Sequence, residues 1–270
     1  MRDRYLLYID ILGFSDLVKD SNAKIEDLYE VIASLHVHDH PSFRVIIFSD
    51  TILVYNVEGG NVRRDRTYLV MYLCEFAQDL QHRLTAKDIF FRAVLVKGQF
   101  THYELNGIPC FFGEALIRAH RMEKKIEAIG LFMQNGIVKD SDIFPTRKFN
   151  DKYSFVYITQ SLTRVERGEM GDFPMEAGII EETDEIYHFT PEVMYLKQLH
   201  HFATNHPVLK VRKKYKATFN LFKKQYPRTL KFLAAHDFRL EDCSPSAGWS
   251  KAVAQWPENF RWAVKKRKKY

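Results

Sequence analysis

Apolar positions along the first half of the chain fall into short runs and stripes, separated by polar turn signals, and they predict alternating strands and helices. Residues 4–11 read as a strand. Residues 14–35 read as helical, with Leu17, Val18, Ile25, Leu28, Val31, Ile32 and Leu35 forming an approximate stripe. Residues 43–57 read as a hairpin, and residues 65–86 as a long helix carrying Tyr68, Leu69, Tyr72, Leu73, Phe76, Leu80 and Leu84 on one side. Ile89–Val96 is a strongly apolar strand, followed by Lys97-Gly98. Asn106-Gly107 is a tight-turn dipeptide, so Ile108–Phe112 returns as a second hairpin strand. Gly113 then leads into a helix over Glu114–Ala128. Leu131–Gln134, Tyr153–Thr159 and Glu185–Phe189 offer further short strands. From Pro191 onward the pattern is helical, broken by Pro207, Pro227, Pro245 and Pro257.

Strand, helix, hairpin, helix, hairpin, helix is the order of a split βαβ palm, an α+β ferredoxin-like fold with an antiparallel sheet backed by helices. The expected organisation is a palm over residues 1–190 and a basic helical C-terminal extension over 191–270, packed on the core. Phe202, Leu209, Phe219, Leu221, Phe222, Leu230, Phe232 and Leu233 make the extension too apolar for a disordered arm.

Composition narrows the class. The chain has 270 residues, 46% hydrophobic and 27% charged, as soluble globular proteins do. No apolar run is long enough to span a bilayer, and the N-terminus lacks the layout of a signal peptide. Cys74, Cys110 and Cys243 are scattered without metal-ligand spacing, which suits a reducing compartment, so a cytoplasmic location is expected. The net charge of +6 gathers in Lys210-Val211-Arg212-Lys213-Lys214-Tyr215-Lys216 and in Lys265-Lys266-Arg267-Lys268-Lys269. Such blocks attract polyanions but are ordinarily solvated helix faces, so neither nucleic acid nor a membrane surface is the expected partner of this tail.

Two aspartates carry the chemistry. Asp10 ends an apolar run just before a glycine turn, and Asp50 follows Ser49 at the tip of the first hairpin. An aspartate at a strand end is ordinarily a turn or cap residue. If the two strands are neighbours, however, the carboxylates meet at one sheet edge and repel unless a cation lies between them. Oxygen-only ligation by two carboxylates suits Mg²⁺ or Mn²⁺, ions that hold substrate phosphates.

The run Ile9-Asp10-Ile11-Leu12-Gly13-Phe14 resembles the first metal-binding strand of class III nucleotidyl cyclases, with its pattern aspartate, isoleucine, any residue, glycine, phenylalanine. Ser49-Asp50 resembles the hairpin Gly-Asp of that family, with Ser in place of Gly. Arg92 followed by Gly98 is similar to a third family strand. Phe112-Gly113 with Ala119 and Arg121-Met122 is similar to its strand-to-helix motif. The resemblance covers roughly residues 4–190 and has instructive departures. Ile46 stands where purine cyclases keep a Lys or Glu, and Cys110 where they keep an Asp or Cys, so the Lys and Asp of an adenine pocket are absent and the Glu that a guanine pocket pairs with Cys is missing. The family's transition-state Asn falls on Ile117, while its Arg is kept as Arg121 with Arg118 nearby. A pocket without purine-reading groups discriminates against purines, and the departures are like those of the bacterial pyrimidine cyclases of Pycsar anti-phage signalling.

That resemblance implies conversion of UTP, or less favourably CTP, to the 3′,5′-cyclic monophosphate and pyrophosphate. It implies two divalent ions, Mn²⁺ or Mg²⁺, held by Asp10, Asp50 and the Ile11 carbonyl. One would activate the ribose 3′-hydroxyl and the other would neutralise the triphosphate. The amides of Leu12, Gly13 and Phe14 at a helix start would cradle phosphates. Arg121, with Arg118, would stabilise charge at the α-phosphate; Lys97, Lys124 and Lys125 are weaker phosphate candidates. Arg44 shares a strand face with Ile46 by period-two alternation and would offer donors to uracil. The metal aspartates and the Arg would come from different chains of a homodimer, and a downstream cyclic-nucleotide effector is implied. Two other readings remain: a cyclase-like module that binds a nucleotide without turning it over, and a purine nucleotide cyclase.

Overall fold

The computed structural model describes residues 2–20, 22–35 and 40–254; the expected basic run 265–269 lies outside them. The chain divides into two compact units. One runs through Leu84 and resumes over Ile89–Ile158; the other holds Thr85–Asp88 and the chain from Thr159 onward. The division falls earlier than residue 190 because the segment after Ile158 is helical and packs within the helical unit, where the Glu192 carboxylate accepts from the amides of Ser161 and Leu162.

In the first unit the elements are β1 (Arg2–Ile11), α1 (Phe14–Asp20), α2 (Asn22–Ala33), β2 (Phe43–Phe48), β3 (Thr51–Asn56), α3 (Arg63–Thr85), β4 (Phe91–Leu105), β5 (Ile108–Phe112), α4 (Glu114–Glu123), β6 (Gly130–Gln134), β7 (Thr146–Lys148) and β8 (Tyr153–Val156). The strands form one sheet in the order β2-β3-β1-β4-β6-β8-β7, with β5 paired to the end of β4. β1 lies antiparallel between β3 and β4. Thus β1 and β2 flank β3, β3 and β4 flank β1, and each pair is joined through helix: this is the split βαβ arrangement of an α+β palm.

Strand alternation sorts the sheet into two faces. Tyr5, Leu7, Ile9 and Ile11 of β1, Ile52 and Val54 of β3, and Phe91, Ala93 and Leu95 of β4 point into the main core. Leu28 and Ile32 of α2 cover them with Leu69, Leu73, Phe76, Leu80 and Leu84 of α3. Val18, by contrast, is exposed. The other face carries Leu6, Tyr8 and Asp10 of β1 with Arg92, Val94 and Val96 of β4, and α4 packs there.

β4 does not stop at Val96, where the apolar run ends. It continues to Leu105 because β5 pairs with its far half. The helix after Gly113 ends at Glu123, not Ala128. Gly113 brings the start of α4 against β4: its φ is 152°, and a Cβ there would lie 2.2 Å from the Gln99 carbonyl oxygen and 2.8 Å from Phe100 Cα. Those neighbours are backbone and cannot swing away. Gly113→Ala is therefore expected to cost about 3 kcal/mol or more, read as a lower urea midpoint at unchanged slope. An unchanged midpoint would mean that this contact is not needed for stability.

The second unit holds α5 (Gln160–Glu166), α6 (Ala177–Glu182), α7 (Glu185–Asn205), α8 (Leu209–Gln225), α9 (Pro227–Ala235), α10 (Leu240–Cys243) and α11 (Trp249–Ala252). The segment Glu185–Phe189, expected as a strand, is instead the start of α7, which runs on through Pro191. Ile186, Phe189, Val193 and Leu196 are buried at helical spacing; a five-residue apolar run cannot reveal that period by itself. Among the described residues no helix is long and apolar enough to cross a membrane.

Candidate active site

The register of β1 decides the site. Asp10 stands opposite Thr51 of β3 on one side and Arg92 of β4 on the other. Asp50 directly precedes Thr51, at a turn tight enough to put Ser49 at a φ of 53°. The amide of Ile11 donates to the Asp50 carbonyl at 2.9 Å, so the hairpin tip is fastened to the end of β1. Thr51 Oγ1 donates to Asp50 Oδ1 at 3.3 Å, and the Tyr8 hydroxyl bridges Thr51 Oγ1 and His120 Nδ1 at 3.3 and 3.1 Å. The two aspartates singled out in the sequence are thus brought to one end of the sheet.

Two further charged residues complete the cluster. Arg92 is 5% and Glu123 4% exposed, and they form an ion pair. Arg92 also donates to the Ile126 carbonyl and sits 3.8 Å from Asp10 Oδ2. Among the described residues its Nε is buried without a partner. Sequence reasoning used Arg92 only as a motif marker and missed Glu123. A signal existed: Ala115, Ala119 and Glu123 recur at intervals of four on one side of α4, so a carboxylate interrupts a stripe of small buried residues.

These surroundings push the Asp10 carboxyl up to about 7. Burial is the main cause, the Glu123 carboxylate adds to it, Arg92 opposes it, and Asp50 raises it further. A carboxyl lifted by burial and like charge is one that a divalent cation returns to its ionised form. Among the described residues no three carboxylate, imidazole or thiol side chains converge to cage a metal by themselves; Glu123 is committed to Arg92. Asp10 and Asp50 nevertheless fit Mg²⁺ or Mn²⁺, which take one or two protein carboxylates and complete their shell with water and substrate phosphates.

The remaining sequence-derived positions divide. The Leu12 amide is already donated to the Phe90 carbonyl at 2.8 Å and is not available to a phosphate. Gly13 turns the chain with a φ of 74° and has open space around it, and Phe14 begins α1. Lys97 is misplaced for a phosphate role beside Asp10. It pairs with Tyr5, lies about 17 Å along β4 from Arg92, and sets its ammonium over the Tyr5 ring on the opposite sheet face. Arg118 is occupied: it pairs with Glu114 and donates to the Lys97 carbonyl and Gln134 Oε1. Ile46 is half-buried opposite Leu53. The Arg44 Nη1 donates to the Pro41 and Phe43 carbonyls. Cys110 lies opposite Tyr103, its thiol against the Ile108 carbonyl.

Arg121 faces elsewhere. Residues two apart on a helix point about 200° apart, so Arg121 turns away from Glu123 and the Asp10 cluster. It lines a separate cavity of about 570 Å³ with Ile117, Lys125, Gln134, Lys152 and Tyr153. Lys124 is exposed and is not part of that lining.

No family model matches the chain, and no curated protein matches it. Solved structures do. The adenylyl cyclase CyaB from P. aeruginosa aligns at 12% identity and a TM-score of 0.40, over 57% of this chain and 93% of that one. The monomeric guanylyl cyclase domain of the RhoGC fusion protein from Blastocladiella emersonii aligns at 18% identity and a TM-score of 0.44, over 57% and 94%. The guanylate cyclase domain of RhGC from Catenaria anguillulae, in complex with GTP, aligns at 15% identity and a TM-score of 0.42, over 57% and 96%.

Proposed function

We propose that this chain is a nucleotidyl cyclase that converts a pyrimidine nucleoside triphosphate, UTP ahead of CTP, to its 3′,5′-cyclic monophosphate and pyrophosphate. The observation that carries the proposal is the meeting of Asp10 and Asp50 at one sheet end, where burial and like charge hold the Asp10 carboxyl near 7. The sequence resemblance to class III nucleotidyl cyclases places its metal aspartates at these two positions. When bound, two divalent ions would neutralise the triphosphate and acidify the attacking hydroxyl. Asp10 and Asp50 would hold them, and Arg92 with Glu123 would keep the Asp10 carboxylate in place. Positioning and charge neutralisation then supply most of the rate.

The pyrimidine assignment rests on what Ile46 lacks: beside Cys110, which suits only a guanine reader, it offers no Lys or Glu to the edge of a purine, whose polar atoms would go unpaired on binding. Among the described residues Arg44 bonds only through Nη1, to the Pro41 and Phe43 carbonyls, and its other donors would suit the two uracil carbonyls. An anti-phage signalling role follows from the resemblance to the Pycsar cyclases.

The test is competition. With Mn²⁺ and all four nucleoside triphosphates at equal concentration, cyclic UMP is expected to lead the products measured by mass spectrometry, with cyclic CMP behind it. Dominant cyclic AMP or cyclic GMP would overturn the pocket argument. Absence of any cyclic product would overturn the enzymatic reading and leave a nucleotide-binding module.

A further inference from the structure

The basic block over residues 210–216 has no part in the cyclase reading, and the structure gives it a definite form. It lies on α8, a helix of 17 residues with cations at Lys210, Arg212, Lys213, Lys214, Lys216, Lys223 and Lys224 and no acidic residue. Tyr215, Thr218 and Phe222 form the buried side. Phe222 packs edge-on to Tyr195 of α7, with ring centroids 5.9 Å apart, and Tyr215 lies 5.1 Å from Phe202. The opposite side holds Lys210, Lys213, Lys216, Lys223 and Lys224, all exposed. At 100° per residue these five and Leu209 fall within an arc of about 140° along a rod of about 25 Å. Among the described residues none of the five lysines is in an ion pair.

The apolar members of this face identify its partner. Leu209 is 61% exposed in the middle of the cationic arc, and Val208 beside it is 52% exposed. Water-facing leucine and valine at the head of a lysine row gain nothing from a nucleic-acid backbone. At a bilayer surface they enter the boundary between headgroups and acyl chains while the lysine stems snorkel and their ammoniums meet lipid phosphates. Lysine, a strongly hydrated point charge, suits such diffuse contact better than bidentate readout. We infer that the exposed face of α8 is a docking surface for an anionic lipid bilayer, held by the lysine row and by insertion of Val208 and Leu209. This inference does not rest on the cyclase assignment.

Co-sedimentation of the full chain with vesicles of phosphatidylcholine, with and without phosphatidylglycerol, tests it. Binding is expected only with the anionic lipid and should weaken as salt rises. Replacing Lys210, Lys213, Lys216 and Lys223 by Gln should weaken binding about fivefold per lysine. Leu209→Glu should weaken it about tenfold or more by removing an inserted side chain. All these positions are exposed, so an unchanged thermal melt is expected; if the fourfold variant melts lower, Leu209→Glu alone decides. A fluorescent DNA duplex is the control. Failure to bind anionic vesicles, binding indifferent to Leu209→Glu, or tighter binding to the duplex than to vesicles would each overturn the assignment.

Discussion

Asp10→Asn is expected to abolish turnover and, at the same time, to stabilise the metal-free fold above pH 7. Asparagine offers one carbonyl oxygen and no charge, so the cation loses half of its protein carboxylates. The stability gain follows from the same environment. The Asp10 carboxyl moves from an ordinary value of 3.8 in the unfolded chain to about 7 in the fold. Between those pH values the folded state holds a proton that the unfolded state has released, so stability falls as pH rises through this window and levels off above it. Sealed from water, such a carboxyl would cost ~4 kcal/mol at pH 8. With 21% of its side chain exposed, about half of that is expected. Asparagine removes the cost, so the variant should be more stable than the parent by ~2 kcal/mol at pH 8 and close to it near pH 4. Urea unfolding at the two pH values measures this. Mn²⁺ should raise the melting temperature of the parent and not of the variant, because a ligand that binds only the fold stabilises it by mass action. A variant that still turns over substrate, or that loses stability at pH 8, would sink the assignment of Asp10 as a repelled metal carboxylate.

Asp10 and Asp50 were legible in the sequence because both stand at interruptions of apolar runs, and such runs fix strands whatever their partners. Their meeting needed only that β1 and β3 be neighbours, which the split βαβ order supplies. The helices of the first unit were legible for the same reason: a stripe such as Leu69, Leu73, Phe76, Leu80 and Leu84 has only one period. Arg92 and Glu123 were not readable as a pair. Their ion pair depends on α4 lying across β4, a tertiary relation with no local signature beyond a carboxylate among alanines. Lys97 shows how fine the limit is. It lies in the same strand as Arg92, but an odd number of residues away, so alternation puts it on the other face. α7 failed differently: Glu185–Phe189 is apolar enough for either period, and burial on successive helical turns, not local preference, made it a helix.

Burying Arg92 and Glu123 together has an energetic logic of its own. A guanidinium or a carboxylate alone at these depths would be costly, and the pair only partly repays the loss of water. The third member, Asp10, is raised first by its own burial and then by the Glu123 carboxylate, which Arg92 opposes. The cluster thus holds one carboxylate short of charge compensation at the place where the proposed reaction requires a cation.

The second large effect concerns how the site is completed. Arg121 and Glu123 point to opposite sides of α4, so the chain that presents Asp10 and Asp50 cannot bring its own Arg121 to them. If both serve one reaction, two chains must share each site, in a homodimer with two equivalent sites. An Asp50→Ala chain and an Arg121→Ala chain should then each be inactive, the first through loss of a metal carboxylate. The second should lose about 10²–10³-fold through loss of a donor to developing phosphate charge. Mixed in equal amounts and allowed to exchange, half of the dimers combine one chain of each kind. In those dimers the Asp50 of one chain meets the Arg121 of the other at one intact site, while the second site lacks both. About one quarter of the parental activity should return from two inactive proteins. No recovery, with exchange demonstrated by mixed tags, would show that a single chain carries its complete site and that Arg121 belongs only to the cavity it lines.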